Sequence, residues 1–306
     1  MRGAYVALAG LLTSLAGAMT PLSGQEIMPE PPAPSAQMLE GRQVVLITGS
    51  TSGLGREVAR ALGERGAHVI VHGRSRERGL EVVDEIAAGP GTASFYAADF
   101  ASLAQVRALG AAVMRDYDRV DVLVNNAGIW LSGDDERQES EDGVELSFAV
   151  NYLSGFLLTR MLLDVIPASP QSRIVNVSSG AQTPIDFDDP MIENRYSGGR
   201  SYGQSKLAQI MFTFDLAAEL EGTGIKVNAL HPATLMDTNM VLSAGVRPRS
   251  SVEEGLEAVM NLIVPRELGT GQYYNGTRVS RANAQAYDEE ARARLRRLSE
   301  ELVGGT

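Results

Sequence analysis

Cysteine is absent from all 306 residues, which excludes disulfides, thiolate nucleophiles and cysteine-ligated metals. A basic excess is missing too: 27 Lys and Arg stand against 38 Asp and Glu, for a net charge of −11. A phosphate backbone demands a basic face, so no nucleic-acid partner is expected. The C-terminal cluster Arg292, Arg294, Arg296 and Arg297 is flanked by Glu289, Glu290, Glu300 and Glu301 and reads as a mixed-sign solvated helix. No twin-arginine pair stands in the N-terminal run, and no internal repeat or second domain is visible. The N-terminal apolar run, Ala4 to Ala18 behind Arg2, falls short of the ~20 residues of a full membrane span.

That run instead resembles a secretory signal peptide, with small residues toward Ser23 and Gly24. Residues 1–24 are therefore predicted to direct export to a periplasmic or secreted location. A retained membrane anchor and a cytoplasmic chain with a disordered tail are the alternatives. Full-length, uncleaved protein in the cytosol would contradict export. Pro29, Pro31, Pro32 and Pro34 make residues 25–41 a stiff, extended linker. A single domain follows over residues 42–303.

Within it, short β-branched runs alternate with amphipathic helices. VVLIT (44–48) is apolar without alternation, as expected of a strand buried on both faces. Further strands are expected at 68–72, 94–98, 120–125, 173–178 and 224–230, with a seventh near QYYNG. One long helix is expected over 144–166, and another carries residues 202 and 206. This order predicts an α/β fold: one doubly wound parallel sheet of about seven strands, with helices on both faces. Right-handed crossovers bring the strands' C-terminal ends to one edge, where ligands bind. Gly49–Gly55, Arg74, Asp99, Asn125–Gly128, Ser179 and His231–Thr238 all fall just past those ends.

Between the first strand and first helix stands TGSTSGLG (48–55). Glycines at 49, 53 and 55 permit a tight turn and bring a pyrophosphate close to backbone N–H groups at a helix start. The second strand ends in Gly73-Arg74, where an NAD-selective site usually places an acid. A guanidinium there suits a ribose 2′-phosphate, which predicts NADP(H) in preference to NAD(H). Tyr202 and Lys206, four apart, share one helix face. A phenol titrates near ~10, and an adjacent ammonium would lower that value and make the phenol a usable acid or base.

TGSTSGLG, the NNAG at 125–128, Asn151, VNVSS ending at Ser179, and Tyr202 with Lys206 together resemble the short-chain dehydrogenase/reductase family. They match its subfamily with TGxxxGxG spacing, and the likeness spans about residues 41–303. The 23-residue step from Ser179 to Tyr202 resembles the retinol-dehydrogenase-like branch, in which an inserted loop overhangs the substrate. The resemblance implies Tyr202 as proton donor or acceptor, Lys206 as its partner and ribose ligand, Ser179 holding the substrate oxygen, and Asn151 in a proton relay. It implies a cofactor set of Gly49, Ser50, Ser52, Gly53, Leu54, Gly55, Arg74, Asp99, Phe100, Asn125, Ala127, Gly128, Tyr202, Lys206, Pro232 and Thr234. Ser178 is an alternative to Ser179.

The substrate would be a small lipophilic carbonyl or alcohol, and Trp130, Tyr196, Leu235, Met236 and Met240 are candidates for an apolar pocket. Asp186, Asp188 and Asp189 lack an accompanying histidine and read as a solvated acidic loop, so no metal site is expected. Dimers and tetramers are usual in the family, so the resemblance admits a homo-oligomer. Two other readings stand beside the enzyme: a non-catalytic NADP(H)-binding sensor and a sugar-nucleotide epimerase. The full Asn–Ser–Tyr–Lys set argues against the sensor, and the G-x-x-x-G-x-G spacing against the epimerase.

Overall fold

Residues 44–47 have no polar side chain, and the structure, a computed structural model, shows why. Val44 and Leu46 enter one hydrophobic core, while Val45 and Ile47 enter another on the opposite face. The period of two along a strand divides a continuous apolar run between two helical layers. The structure describes residues 33–131, 136–264 and 267–304. The predicted leader and the start of the predicted linker lie outside them.

In chain order the elements are α1 (Ala36–Leu39), β1 (Val44–Ile47), α2 (Gly53–Glu64), β2 (His68–Gly73), α3 (Arg76–Ala87), β3 (Thr92–Ala97) and α4 (Leu103–Asp116). Next come β4 (Val122–Asn125), α5 (Leu146–Phe148), a π-helical segment Ala149–Leu153, α6 (Ser154–Leu162) and β5 (Arg173–Val177). The chain continues with α7 (Gly198–Glu219), β6 (Lys226–His231), α8 (Asn239–Ser243), α9 (Val252–Ile263), β7 (Gln272–Asn275), β8 (Arg278–Ser280) and α10 (Glu289–Leu302).

All eight strands join one sheet in the order β3-β2-β1-β4-β5-β6-β7-β8. Every pairing is parallel except the last, where β8 returns antiparallel to β7. Helices α2, α3 and α9 cover one face, and α4, α6, α7 and α10 the other. The strand order reverses between β1 and β4, which opens the crevice where doubly wound sheets take their ligands.

Two expectations need correcting. Residues 36–39 of the predicted extended linker form α1, where the Met38 carbonyl accepts from the Thr92 hydroxyl (3.0 Å). The single helix expected over 144–166 is four segments: its hydrogen-bond ladder loosens to the π form around Asn151 and tightens to a 3-10 turn at Leu163–Val165. Inserted π turns are frequent at functional sites. This stretch, Leu146–Val165, is also the one helix among the described residues that is long and apolar enough to cross a membrane. It is mostly buried here and serves as the central core helix.

Candidate active site

The turn after β1 is held by side chains from three strands. The Ser50 hydroxyl donates to the Ile47 carbonyl (2.8 Å) and accepts from the His72 N–H (3.0 Å). The Gly49 N–H donates to His72 Nδ1 (3.2 Å), which leaves Nε2–H for the Ala98 carbonyl (3.2 Å). From β4, the Asn126 amide donates to the carbonyls of Thr48 (2.9 Å) and Gly49 (3.2 Å).

This turn fits a dinucleotide. Gly49 and Gly53 have φ of +66° and +53°, a region that side chains disfavour. A Cβ on Gly55 would lie 2.4 Å from the Gly49 carbonyl oxygen, and one on Gly49 2.8 Å from Ala127 Cα. The Ser52 hydroxyl at the N-cap of α2 makes no capping bond, so first-turn N–H groups are left for an anion.

Several residues of the implied cofactor set turn their side chains into the scaffold. Ser50 is fully buried with its hydroxyl spent inside the turn, and Leu54 packs into the core beneath α2. The Phe100 ring is buried and stacked on His72, with centroids 4.4 Å apart. Asn125 turns inward, donating to Thr159 Oγ1 (2.9 Å) and Asn176 Oδ1 (2.8 Å), and so braces the sheet against α6. Its neighbour Asn126 holds the glycine turn instead. Adjacent residues on a strand point to opposite faces, and side-chain type alone does not reveal which asparagine faces the crevice. Ser52, Gly53, Gly55, Ala127 and Gly128 remain around the turn. Arg74 extends from the end of β2 into solvent, its Nη1 3.6 Å from Asp99 Oδ2. Pro232 is buried at the end of β6, and the exposed Thr234 bonds His231 Nε2 (3.0 Å).

His72 carried no role in the sequence reading, although it is a polar residue in a fully buried strand. Burial lowers its pKa from 6.5 to about 4, and burial chiefly does the same to His68 on the same strand. Between pH 6.5 and 4 the unfolded chain therefore binds more protons than the folded one. The stability from burying neutral rings is complete above about pH 6.5 and is lost as pH falls toward 4. Each ring should cost about 2 kcal/mol between pH 7 and 5. Thermal melts at the two pH values should show a falling midpoint. A chain with both histidines replaced by Gln should melt with a shallower pH dependence; an unchanged slope would clear the histidines of the effect.

Across the crevice, three successive residues at the end of β5 rivet it to α7. Asn176 Nδ2 donates to Thr213 Oγ1 (2.8 Å), the Val177 carbonyl accepts from Lys206 Nζ (3.0 Å), and the Ser178 hydroxyl donates to the Lys206 carbonyl (2.7 Å). Ser178 is thereby committed to the scaffold. Ser179 comes next; its hydroxyl accepts from the Ala181 N–H (3.1 Å) and favours the ionised form of the Tyr202 phenol. The Ser179 carbonyl is fixed by Tyr273 OH (3.1 Å) and Gln182 Nε2 (3.0 Å).

Lys206 Nζ sits 5.7 Å from the Tyr202 ring centroid, on the shared face predicted for the pair. Asn151 Nδ2 donates to Ser205 Oγ (2.9 Å), and its Oδ1 accepts from the Ile129 N–H (2.7 Å). A Cβ on Gly128 would meet both Asn151 Oδ1 (3.3 Å) and Lys206 Nζ (3.4 Å), so Asn151, Lys206 and the NNAG turn converge. The buried Glu145 accepts from Phe148 N–H (2.8 Å) and the Ser201 hydroxyl (2.8 Å), joining the helix of Asn151 to the start of α7.

The electrostatics differ from expectation. Burial raises the Tyr202 phenol, and the Ser179 hydroxyl opposes that shift. The amine does not pull the phenol down: it lies over the ring, and burial lowers its own pKa to about 7.

Over the site, the Trp130 and Tyr202 rings lie 6.1 Å apart. Leu235 adopts φ +51°, unusual for a branched residue, at the crevice rim. Met236 instead packs under α9 against the space left by Gly255, and Met240 is exposed on α8. Tyr196 stands half-buried in the inserted loop. In that loop the acids act as expected of a solvated surface. Asp189 accepts from the Glu193 and Asn194 N–H groups, Asp186 pairs with Arg200, and Asp188 with Arg294. Gln204 Nε2 and Arg137 Nε tie the loop down at the Pro190 carbonyl (3.0 Å) and Met191 carbonyl (2.8 Å).

Comparison with known proteins agrees with this geometry. The family model described as short chain dehydrogenase matches residues 43–246. Human retinol dehydrogenase 13 is 34% identical over 293 residues, covering 89% of this chain and 87% of its own. A structure of an actinorhodin polyketide ketoreductase variant with NADPH is 29% identical at a TM-score of 0.63, covering 76% of this chain and 95% of its own. A Burkholderia cenocepacia short-chain dehydrogenase in complex with NADP is 26% identical at 0.63, covering 78% and 97%.

Proposed function

The chain belongs to the short-chain dehydrogenase family, on its retinol-dehydrogenase-like branch, and from that premise we propose an NADP(H)-dependent oxidoreductase acting on a lipophilic carbonyl or alcohol. Membership makes it an enzyme of the short-chain type using a nicotinamide cofactor. The observation that carries the finer reading is the placement of Lys206 Nζ over the Tyr202 ring, with Asn151 and Gly128 beside the amine.

When bound, the nicotinamide supplies or accepts the hydride. The chain's own residues do the rest. Negative charge builds on the substrate oxygen during carbonyl reduction, and the hydroxyls of Ser179 and Tyr202 are placed to stabilise it. A phenol whose pKa burial has raised keeps its proton at neutral pH, which suits Tyr202 to donate it. Lys206 and Asn151 stand behind the phenol, where a proton can be replaced. Trp130 and the inserted loop limit water at the reacting carbon.

For the cofactor, Arg74 offers a guanidinium at the edge of the adenosine side, and Gly73 before it carries no acid. The solved relatives with NADPH and NADP support the same preference. The full chain is expected to consume NADPH with all-trans-retinal and a panel of lipophilic ketones. Cofactor binding with no turnover across that panel would favour the sensor reading. Arg74→Asp should raise KM for NADPH at least about tenfold, the cost of one charge-assisted contact, and change KM for NADH little. Equal effects on the two cofactors would remove Arg74 from the phosphate site.

A further inference from the structure

Lys206 has a partner that the family-based reading of the site does not use. One turn further along α7, Gln209 is buried, and its Oε1 accepts from Lys206 Nζ at 3.0 Å. The Val177 carbonyl, also 3.0 Å away, is the amine's other acceptor. Val177 lies within the sheet, and the backbone of Gln209 is tied toward β5, its main-chain carbonyl accepting from the Thr213 hydroxyl (2.7 Å), which Asn176 Nδ2 engages.

We propose that Gln209 is a positioning residue for Lys206: its side-chain oxygen holds the amine beneath Tyr202 and sets how firmly the amine keeps its proton. A carbonyl accepts a hydrogen bond from an ammonium more strongly than from an amine, so the contact favours the charged form. Burial works in the opposite direction and is the sole cause of the lowered pKa of Lys206. On its own helix the amine faces the Tyr202 phenol. The other elements packed against it offer neutral groups: the Val177 carbonyl from β5, Asn151 from the π-helical turn and Gly128 from the loop after β4. Among the described residues, no acid contributes to the shift of the Lys206 amine. Gln209 therefore does by hydrogen bonding what an acid would do by charge, without adding a charge beside a nucleotide.

The inference rests on reading Lys206 as the partner of Tyr202, and the test separates the two. The chain contains only two lysines, Lys206 and Lys226. Carbon-13 lysine labelling of the cofactor-free full chain thus gives one buried amine to titrate, with the partly exposed Lys226 as reference. The parent's Lys206 resonance should titrate near about 7. Gln209→Leu should lower that midpoint by about one pH unit, and Gln209→Glu should raise it by a similar amount. The pH–rate profile for reduction of all-trans-retinal by NADPH should move in the same directions, with KM for retinal unchanged. Midpoints that move without the rate profile would support the contact and overturn the mechanistic role of Lys206. An unmoved Lys206 midpoint in the folded variants would overturn the proposal. Should the leucine variant not fold, the glutamate variant decides alone.

Discussion

Tyr202→Phe is expected to reduce turnover of carbonyl substrates by about a thousandfold, within the range for losing a positioned general acid. The change removes one oxygen and keeps the ring, so the packing against Trp130 and Lys206 survives. Ser179 keeps its bond from the Ala181 N–H (3.1 Å). Binding of NADPH, followed by its fluorescence, should persist, since the glycine turn and Arg74 lie across the crevice. The loss should therefore appear in kcat. A variant retaining a tenth of the parent's kcat would show that the proton comes from elsewhere.

Gly55→Ala should abolish measurable NADPH binding and lower the melting temperature. Its methyl group would meet the Gly49 carbonyl oxygen at 2.4 Å and Asn126 Nδ2 at 2.5 Å. Neither can retreat cheaply. The first is backbone in the turn, and the second is held by two carbonyls. Overpacking of this kind costs about 1–3 kcal/mol, and here it would act on the atoms that shape the phosphate cradle. Gly199→Ala is the control: nothing lies within 4 Å of the added carbon, and its φ is not positive. Equal behaviour of the two variants in calorimetry and NADPH titration would refute the cradle assignment.

The sheet was legible because its strands are apolar runs between helices with a clear period. The eighth strand was not. Residues 278–280 are too short and too polar to stand out, but the Asn275-Gly276 pair that precedes them is a hairpin signal. Tyr202, Lys206, Ser179 and Asn151 were readable as a group through the family resemblance that their motifs carry, not through composition or period. The orientation of individual side chains was harder. Ser50, Phe100 and Asn125 lie where the sequence puts them, yet each turns into the scaffold, while His72, Asn126, Glu145 and Gln209 do the holding. Whether a residue at the crevice points toward a ligand or into the protein is decided by neighbours distant in sequence.

The central core helix carries a cost that arises before the protein is finished. Leu146–Val165 is apolar enough for a bilayer, and much of what covers it is made later. Phe212 packs edge-on against Phe156, with centroids 5.1 Å apart. Tyr152 reaches Ser299, 147 residues onward, across a 2.7 Å hydrogen bond. At ribosomal rates of about 5–20 residues per second, the last of that cover arrives roughly 7–30 s after the helix itself. At the start of that interval a nascent chain displays a membrane-like segment with only α4 and the first four strands to shelter it. The growing polypeptide thus presents to chaperones and translocation machinery a surface that the finished enzyme conceals.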